Sequence, residues 1–234
     1  MLEFDDAQQR FRAEVGRFIE SEVTPHVREW EESRVYPVHL LGRLGSLGWL
    51  GVGIGVDRGG SGGGPIERCI LFEELARASA GVALGLYVHA VLTSGALALV
   101  ASDELRLRLL PPLLAGEVTG AWAYAEPESG ADVTRVRLTA RREGDAFVLN
   151  GSKLYITNGT IADLILVVSR TSGEPGSLRG ISVFVVDGDT PGLTRRPMEK
   201  LGMHPSELGE LHFDDVIVGA ERLGREVVEQ IRTP

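Results

Sequence analysis

Two segments hold residues suited to gripping a flat, polar ligand. The first is Ala121-Trp-Ala-Tyr-Ala-Glu-Pro-Glu-Ser-Gly-Ala-Asp132. Trp122 and Tyr124, spaced by Ala123 and Ala125, offer a dry aromatic surface, and Glu126-Pro127 stiffens the chain beyond it. Gly130 lets backbone N–H groups come close to an anion or a ring carbonyl. Such a surface suits a planar heteroaromatic cofactor with a phosphate tail. The same letters also describe an ordinary inter-domain connection. The second segment is Asn150-Gly-Ser-Lys-Leu-Tyr-Ile-Thr-Asn-Gly159. Asn150-Gly151 is predicted to turn the chain, and Asn158-Gly159 to turn it again. The short strand between them presents Tyr155, Ile156 and Thr157. A tyrosine stacks on a ring and a threonine hydroxyl bonds a ring edge. On its own this segment equally reads as a hairpin with a polar tip.

Other chemistries find little support. Gly59-Gly-Ser-Gly-Gly63 fits the letters of a serine-hydrolase elbow, but glycine continues to Gly64, so Ser61 reads as part of a turn. There is no Walker loop, and no G-x-G-x-x-G follows a strand. His26, His39, His89, His204 and His212 lack ligand spacing, so no metal site is expected. His89, on an apolar helix, reads as a hydrogen-bonded core residue. Cys69 is the only cysteine, which excludes an intramolecular disulfide or a multi-cysteine zinc site and suits a reducing, cytoplasmic setting. Lys plus Arg number 24 against 33 Asp plus Glu, a net charge of −9. That balance argues against nucleic acid and anionic membranes as partners. Met1 to Arg12 carries no secretory signal pattern.

The elements that must position these segments change type along the chain. Phe4, Phe11, Val15, Phe18, Ile19 and Val23 share one face of a helix starting near Asp5, which Pro25 should end or interrupt. A helix is predicted over Val38–Leu47, ending at Gly48. Pro65 begins another, with Ile66, Ile70, Leu71 and Leu75 inward. Ala78 to Ser102 has no charged residue and is long enough to span a bilayer, but its Ala, Gly, His89, Thr93 and Ser94 favour a buried bundle helix, so no membrane span is expected. Asp103–Leu114 forms a short helix that Pro111-Pro112 should cut. Beyond Gly120 the pattern turns to strands: a hairpin from Arg137–Arg142 and Ala146–Asn150, then Leu164–Val168, Ile181–Val186 and the stretch Leu211–Val218. The fold class is α+β: an all-α helical bundle over 1–117, a β-barrel-like middle domain over 118–220, and a short tail over 221–234.

The motifs also follow one another in a recognisable order. Val23-Thr-Pro-His26 and Glu29-Trp30, Gly48-Trp-Leu-Gly51, Gly59-Gly60, Glu73-Glu-Leu-Ala-Arg77, Pro111-Pro112 and Gly116-Glu117 come first. Then come Ala-x-x-Glu-Pro-x-x-Gly-x-Asp, Lys153-x-Tyr-Ile-Thr-Asn-Gly159, Asp189-Thr-Pro-Gly192, Lys200-Leu-Gly-Met203 and Glu210-Leu-x-Phe-Asp-Asp-Val216. Together they resemble the acyl-CoA dehydrogenase family of flavoproteins over nearly the whole chain. The resemblance implies FAD held against the β domain. It implies that Trp122, Ala123, Tyr124, Ala125, Glu126, Gly130 and Ala131 run along the flavin's reactive edge, with Ala131 also beside the substrate. It implies that Tyr155, Ile156 and Thr157 pack on the isoalloxazine. The implied reaction removes hydrogens from the α and β carbons of an acyl-CoA or acyl carrier protein thioester, with electron-transferring flavoprotein as acceptor.

Four residues depart from the family pattern. Ala125 stands where a threonine or serine is usual, Ala131 replaces a common serine, Glu128 a frequent glycine, and Tyr155 a common tryptophan. The family's third, helical domain carries its catalytic glutamate and its tetramer core, and no residue of this sequence matches that base. Glu126, Glu128 and Asp132 read as solvated or turn-stabilising residues. A non-catalytic flavin- or thioester-binding chain, and a flavin-dependent monooxygenase of the same fold, are the alternative readings.

Overall fold

The computed structural model describes residues 4–220 and Leu223. Helix α1 (Asp6–Glu22) opens on a capping box. Asp5 accepts from the Gln8 N–H at 2.8 Å, and the Gln8 side chain accepts from the Asp5 N–H at 3.2 Å. Its inner face buries Val15 and Ile19, and Phe11 and Phe18 meet Trp49 edge-on at 5.7 and 5.3 Å. Pro25 interrupts as expected: a short 3-10 turn, Thr24–His26, separates α1 from α2 (Val27–Ser33). Helix α3 (His39–Ser46) buries Leu40, Leu41 and Leu44, and α4 (Pro65–Ala78) buries Ile70, Leu71 and Leu75. Ile66, expected inward, is instead exposed, because the packing of α4 begins one turn later, at Ile70. Ser61 donates from Oγ to the Gly48 carbonyl at 2.5 Å and so ties down the glycine turn.

The uncharged stretch is helical from Ala80 to Val100. Helix α5 (Ala80–Tyr87) runs through a π-helical turn at Val88–Thr93 into α6 (Ser94–Val100). This helix is long and apolar enough to cross a bilayer, yet 67% of its most apolar window is buried inside the protein, the burial of a core helix. Helix α7 (Asp103–Ala115) corrects an expectation, since it continues through Pro111 and Pro112. Leu105, Leu110 and Leu113 are buried in the core shared with Leu97 and Ala98, and that burial outweighs the missing N–H groups.

Among the described residues seven strands follow: β1 (Gly120–Ala123), β2 (Thr139–Glu143), β3 (Ala146–Thr157), β4 (Leu164–Arg170), β5 (Ile181–Asp187), β6 (Leu193–Pro197) and β7 (Leu208–Gly219). They pair in the order β1-β4-β2-β3-β7-β6, with β5 on β4. The sheet curls as a half-barrel round Ala121, Ala123, Leu149, Ile165, Val167, Phe184, Leu211 and Phe213. Its back, through Leu164, Leu166, Val168, Ile181 and Val183, leans on Leu97, Leu105, Leu110 and Leu113 of the helices. Covered on both faces, β4 is buried along its whole length, which explains its unbroken apolar run.

Asn150-Gly151 does not turn the chain. Strand β3 runs straight through it, with a shift in its register against β7 between Leu149 and Gly151. The extra residue is absorbed as a bulge. Asn150 locks it, donating from Nδ2 to Asp215 Oδ1 at 2.9 Å and accepting from the Asp215 N–H at 3.0 Å. Gly151 has φ 139°, and a Cβ there would stand 3.0 Å from the Leu138 Cα. The tail reading over 221–234 lies outside the described residues apart from Leu223. Leu223 is buried, and its N–H donates to the Val183 carbonyl at 2.8 Å.

Candidate functional site

Beyond β1 the chain leaves the sheet at Tyr124 and runs alongside the end of β3. The Leu154 N–H donates to the Ala125 carbonyl at 2.9 Å. The Lys153 ammonium donates to the Tyr124 carbonyl at 3.0 Å and to Glu126 Oε1 at 2.7 Å. The two segments singled out by residue type therefore lie side by side. A tight turn closes the first one: Glu126 and Ser129 exchange N–H···O bonds at 2.8 and 3.2 Å. The Tyr124 hydroxyl donates to the Ala131 carbonyl at 3.3 Å, which folds residues 124–131 back over themselves. Burial, with Asp132 nearby, holds the Tyr124 phenol above its ordinary pKa.

Glu126 turns inward. Oε1 accepts from the Leu138 N–H at 3.0 Å as well as from Lys153, and Oε2 accepts from the Arg137 N–H at 2.7 Å. Lys153 is fully buried, and burial pushes its ammonium down to about 8 against the pull of Glu126, so it keeps its charge at neutral pH. Glu128 pairs with Arg137 at 3.1 Å. Asp132 accepts from the Thr134 hydroxyl and N–H, which hold its carboxyl below the usual range.

Three groups at this junction are not used by the fold. Tyr155 sits at φ 59°, in a second register shift between Lys153 and Ile156, and is 62% exposed. A bulky residue at positive φ in a bulge re-aims its side chain, and such strain clusters at functional sites. The Thr157 hydroxyl and the Ala125 N–H have no hydrogen-bond partner among the described residues. Two small clefts adjoin. One, of about 200 Å³, is lined by Pro127, Glu128, Arg137, Leu138 and Ser152. The other, of about 350 Å³, is lined by Glu128, Arg135, Arg137, Pro175 and Gly176.

Behind the junction a polar knot pins the sheet to the π-helical turn. The Gly120 N–H donates to His89 Nδ1 at 3.0 Å, which leaves Nε2–H to donate to the Leu113 carbonyl at 3.0 Å. His89 is thus the hydrogen-bonded core residue expected of it. Asn158 Nδ2 donates to the carbonyls of Gly85 and Gly120 at 2.9 and 3.1 Å. Among the described residues, no cluster of His, Cys, Asp and Glu is arranged to hold a metal ion.

Residues 5–117 match the family description "Acyl-CoA dehydrogenase, N-terminal domain", and residues 121–216 match "Acyl-CoA dehydrogenase, middle domain". The chain belongs to the acyl-CoA dehydrogenase family. Mitochondrial isovaleryl-CoA dehydrogenase of Pongo abelii is 36% identical over 235 residues, covering 95% of this chain and 55% of that protein. A probable acyl-CoA dehydrogenase from Mycobacterium abscessus superposes with TM-score 0.90 at 34% identity, covering 95% of this chain and 59% of that one. A glutaryl-CoA dehydrogenase from Mycobacterium smegmatis, in complex with FADH2, gives 0.86 at 30%, covering 94% and 56%. The chain spans little more than half the length of these acyl-CoA dehydrogenase relatives.

Within this acyl-CoA dehydrogenase fold the residues expected at the site differ in burial. Ala123 and Ile156 are buried in the core of the sheet, so only their backbones can face a ligand, and Glu126 is buried at the edge of the first cleft. Trp122 lies half-buried against the core between sheet and helices, and so does Tyr124. Ala125 and Thr157 are half-buried, and Gly130, Ala131 and Tyr155 are exposed. Two residues that hold the arrangement together escaped the sequence reading. Lys153 shares parity with the inward Phe147 and Leu149, which is the one signal that it is buried. Arg170, the basic end of an apolar strand, is buried. It donates from Nε to the Val136 carbonyl at 2.9 Å, and from Nη2 to the carbonyls of Thr134 and Ser177 at 2.8 and 3.1 Å. It thereby fixes the loops on either side of the second cleft.

Proposed function

We propose that the chain holds FAD with its ring on the shelf formed by residues 124–131 and 155–157, for α,β-dehydrogenation of an acyl thioester. The observation that carries this reading is the joining of the two segments through Leu154–Ala125 and Lys153–Tyr124. The residues present suit such a group: an N–H at Ala125 and a hydroxyl at Thr157 that have no partner among the described residues, an exposed tyrosine ring at 155, and the exposed residues Gly130 and Ala131. Bound FAD supplies the hydride acceptor for oxidation of a CH–CH pair. The chain's own residues supply placement. Tyr155 offers its face for stacking, Thr157 and Ala125 offer hydrogen bonds to the ring's rim, and the buried alanines at 121 and 123 keep the sheet beneath dry.

None of the acids nearest the shelf is assigned as the proton acceptor. Glu126 is buried and takes three donors, Glu128 is paired with Arg137, and Asp132 is held by Thr134. We propose acyl-CoA, or an acyl carrier protein thioester, as the substrate class, an electron-transferring flavoprotein as acceptor, and the cytoplasm as the setting. A second reading, retention of flavin or thioester without turnover, is favoured by Ala125 and Ala131, which bring no side-chain hydroxyl to the ring or the thioester.

The test is a titration of the purified chain with FAD, followed in the visible range, and then anaerobic addition of acyl-CoA. Saturable binding followed by bleaching supports dehydrogenation, and binding without bleaching supports the second reading. A chain that leaves the FAD spectrum unchanged refutes both.

A further inference from the structure

The peptide unit joining Tyr124 and Ala125 is held at one end only. Its carbonyl accepts from the Lys153 ammonium at 3.0 Å, and its N–H has no acceptor among the described residues. The next unit is held at both ends: the Ala125 carbonyl takes the Leu154 N–H, and the Glu126 N–H is used by the Ser129 carbonyl. The Ala125 N–H is therefore the one uncommitted donor between Ala125 and Glu126, and the alanine side chain offers no other.

The charges around this unit are not shared evenly. The Glu126 carboxylate is spread over three donors, the Lys153 ammonium and the N–H groups of Arg137 and Leu138. Among the described residues the Lys153 ammonium has Glu126 and the Tyr124 carbonyl as its acceptors, at a fully buried position. A cation bonded to the carbonyl end of a peptide polarises the unit, and its N–H becomes a stronger donor. The effect is largest where the local dielectric is low.

We infer that Lys153 is a positioning residue for the cofactor ring: through the Tyr124 carbonyl it aims and strengthens the Ala125 N–H toward the ring edge, and so favours the reduced, more negative state. This rests on the cofactor reading above. A fixed donor that meets charge only as it develops stabilises the charged state without reorganisation. A purely structural ion pair would stabilise the fold and leave the redox balance of the bound ring unmoved.

The experiment compares the full chain loaded with FAD with three variants, reading midpoint potential by dye-coupled reduction and FAD affinity by titration. Lys153→Met removes the cation. Lys153→Met combined with Glu126→Gln removes both charges, so no lone buried carboxylate threatens the fold. Glu126→Gln alone leaves the cation uncompensated. The first two are expected to shift the oxidised–reduced equilibrium about tenfold toward oxidised flavin, a fall of about 30 mV for two electrons. Glu126→Gln is expected to shift it the other way, and it decides the matter if the other two do not fold. Variants that bind FAD at the wild-type potential overturn the inference and leave the cofactor reading standing. A wild-type chain that binds no FAD overturns both.

Discussion

The knot at His89 makes a quantitative claim about acid stability. The ring is fully buried, and its Nδ1 lone pair is committed to the Gly120 N–H, so the folded state holds it neutral. Burial pushes its pKa down to about 4, against a bond to the Leu113 carbonyl that favours the charged form. In the unfolded chain the same ring titrates near 6.5, so between the two values the unfolded state binds the extra proton. The stabilisation from a neutral His89 is therefore complete above about pH 6.5 and is lost as the pH falls toward 4. At about 1.4 kcal/mol per unit, the loss reaches about 2 kcal/mol by pH 5. Urea unfolding at pH 7.5, 6 and 5 measures it, with His89→Gln as reference. The variant gives up hydrogen bonds but no longer titrates, while the carboxylates respond alike in both proteins. Wild-type stability should start higher and converge on the variant's by about 2 kcal/mol at pH 5. Parallel curves would refute a neutral, doubly bonded His89.

Further outcomes follow from packing and charge. Lys153→Met alone strands the buried Glu126 carboxylate and should destabilise by about 3–5 kcal/mol; the double variant with Glu126→Gln should recover most of that in thermal unfolding. Gly42 has open space where a Cβ would lie, so Gly42→Ala should stabilise α3 by up to about 1 kcal/mol. Gly45→Ala, three residues on, would drive a Cβ to 2.3 Å from the Ala115 carbonyl oxygen and should destabilise in the same melting assay. Tyr155→Ala should weaken FAD retention, since aromatic stacking contributes about 0.5–1.5 kcal/mol, with the melting point little changed at so exposed a side chain.

Local signals made much of this legible. The capping residue at Asp5, the period of Val15 and Ile19, and the apolar runs of β4 and β5 all write their own elements. What escaped depended on partners distant in sequence. Pro111-Pro112 reads as a break, yet α7 continues through it because Leu110 and Leu113 are buried in one core with Leu97 and Ala98. Asn150-Gly151 has the letters of a turn, and only Asp215, on another strand, makes it a bulge. The short edge strand β6 carries Thr194, Arg195 and Arg196 and shows no apolar alternation, so nothing in its letters marks it as a strand. At the candidate site the aromatic and hydroxyl residues were visible, whereas the roles of Lys153 and Arg170 were not. A buried cation is recognised by the carbonyls that surround it, and those come from loops far along the chain.

The amide spectrum of the 15N-labelled chain, recorded as FAD is added, tests the shelf most directly. The account predicts that the Ala125, Ala131 and Thr157 amides shift together along one saturable curve, while those of Arg10 and Gly16 on α1 stay still. Shifts confined to other surfaces, or a spectrum unmoved at saturating FAD, would contradict it.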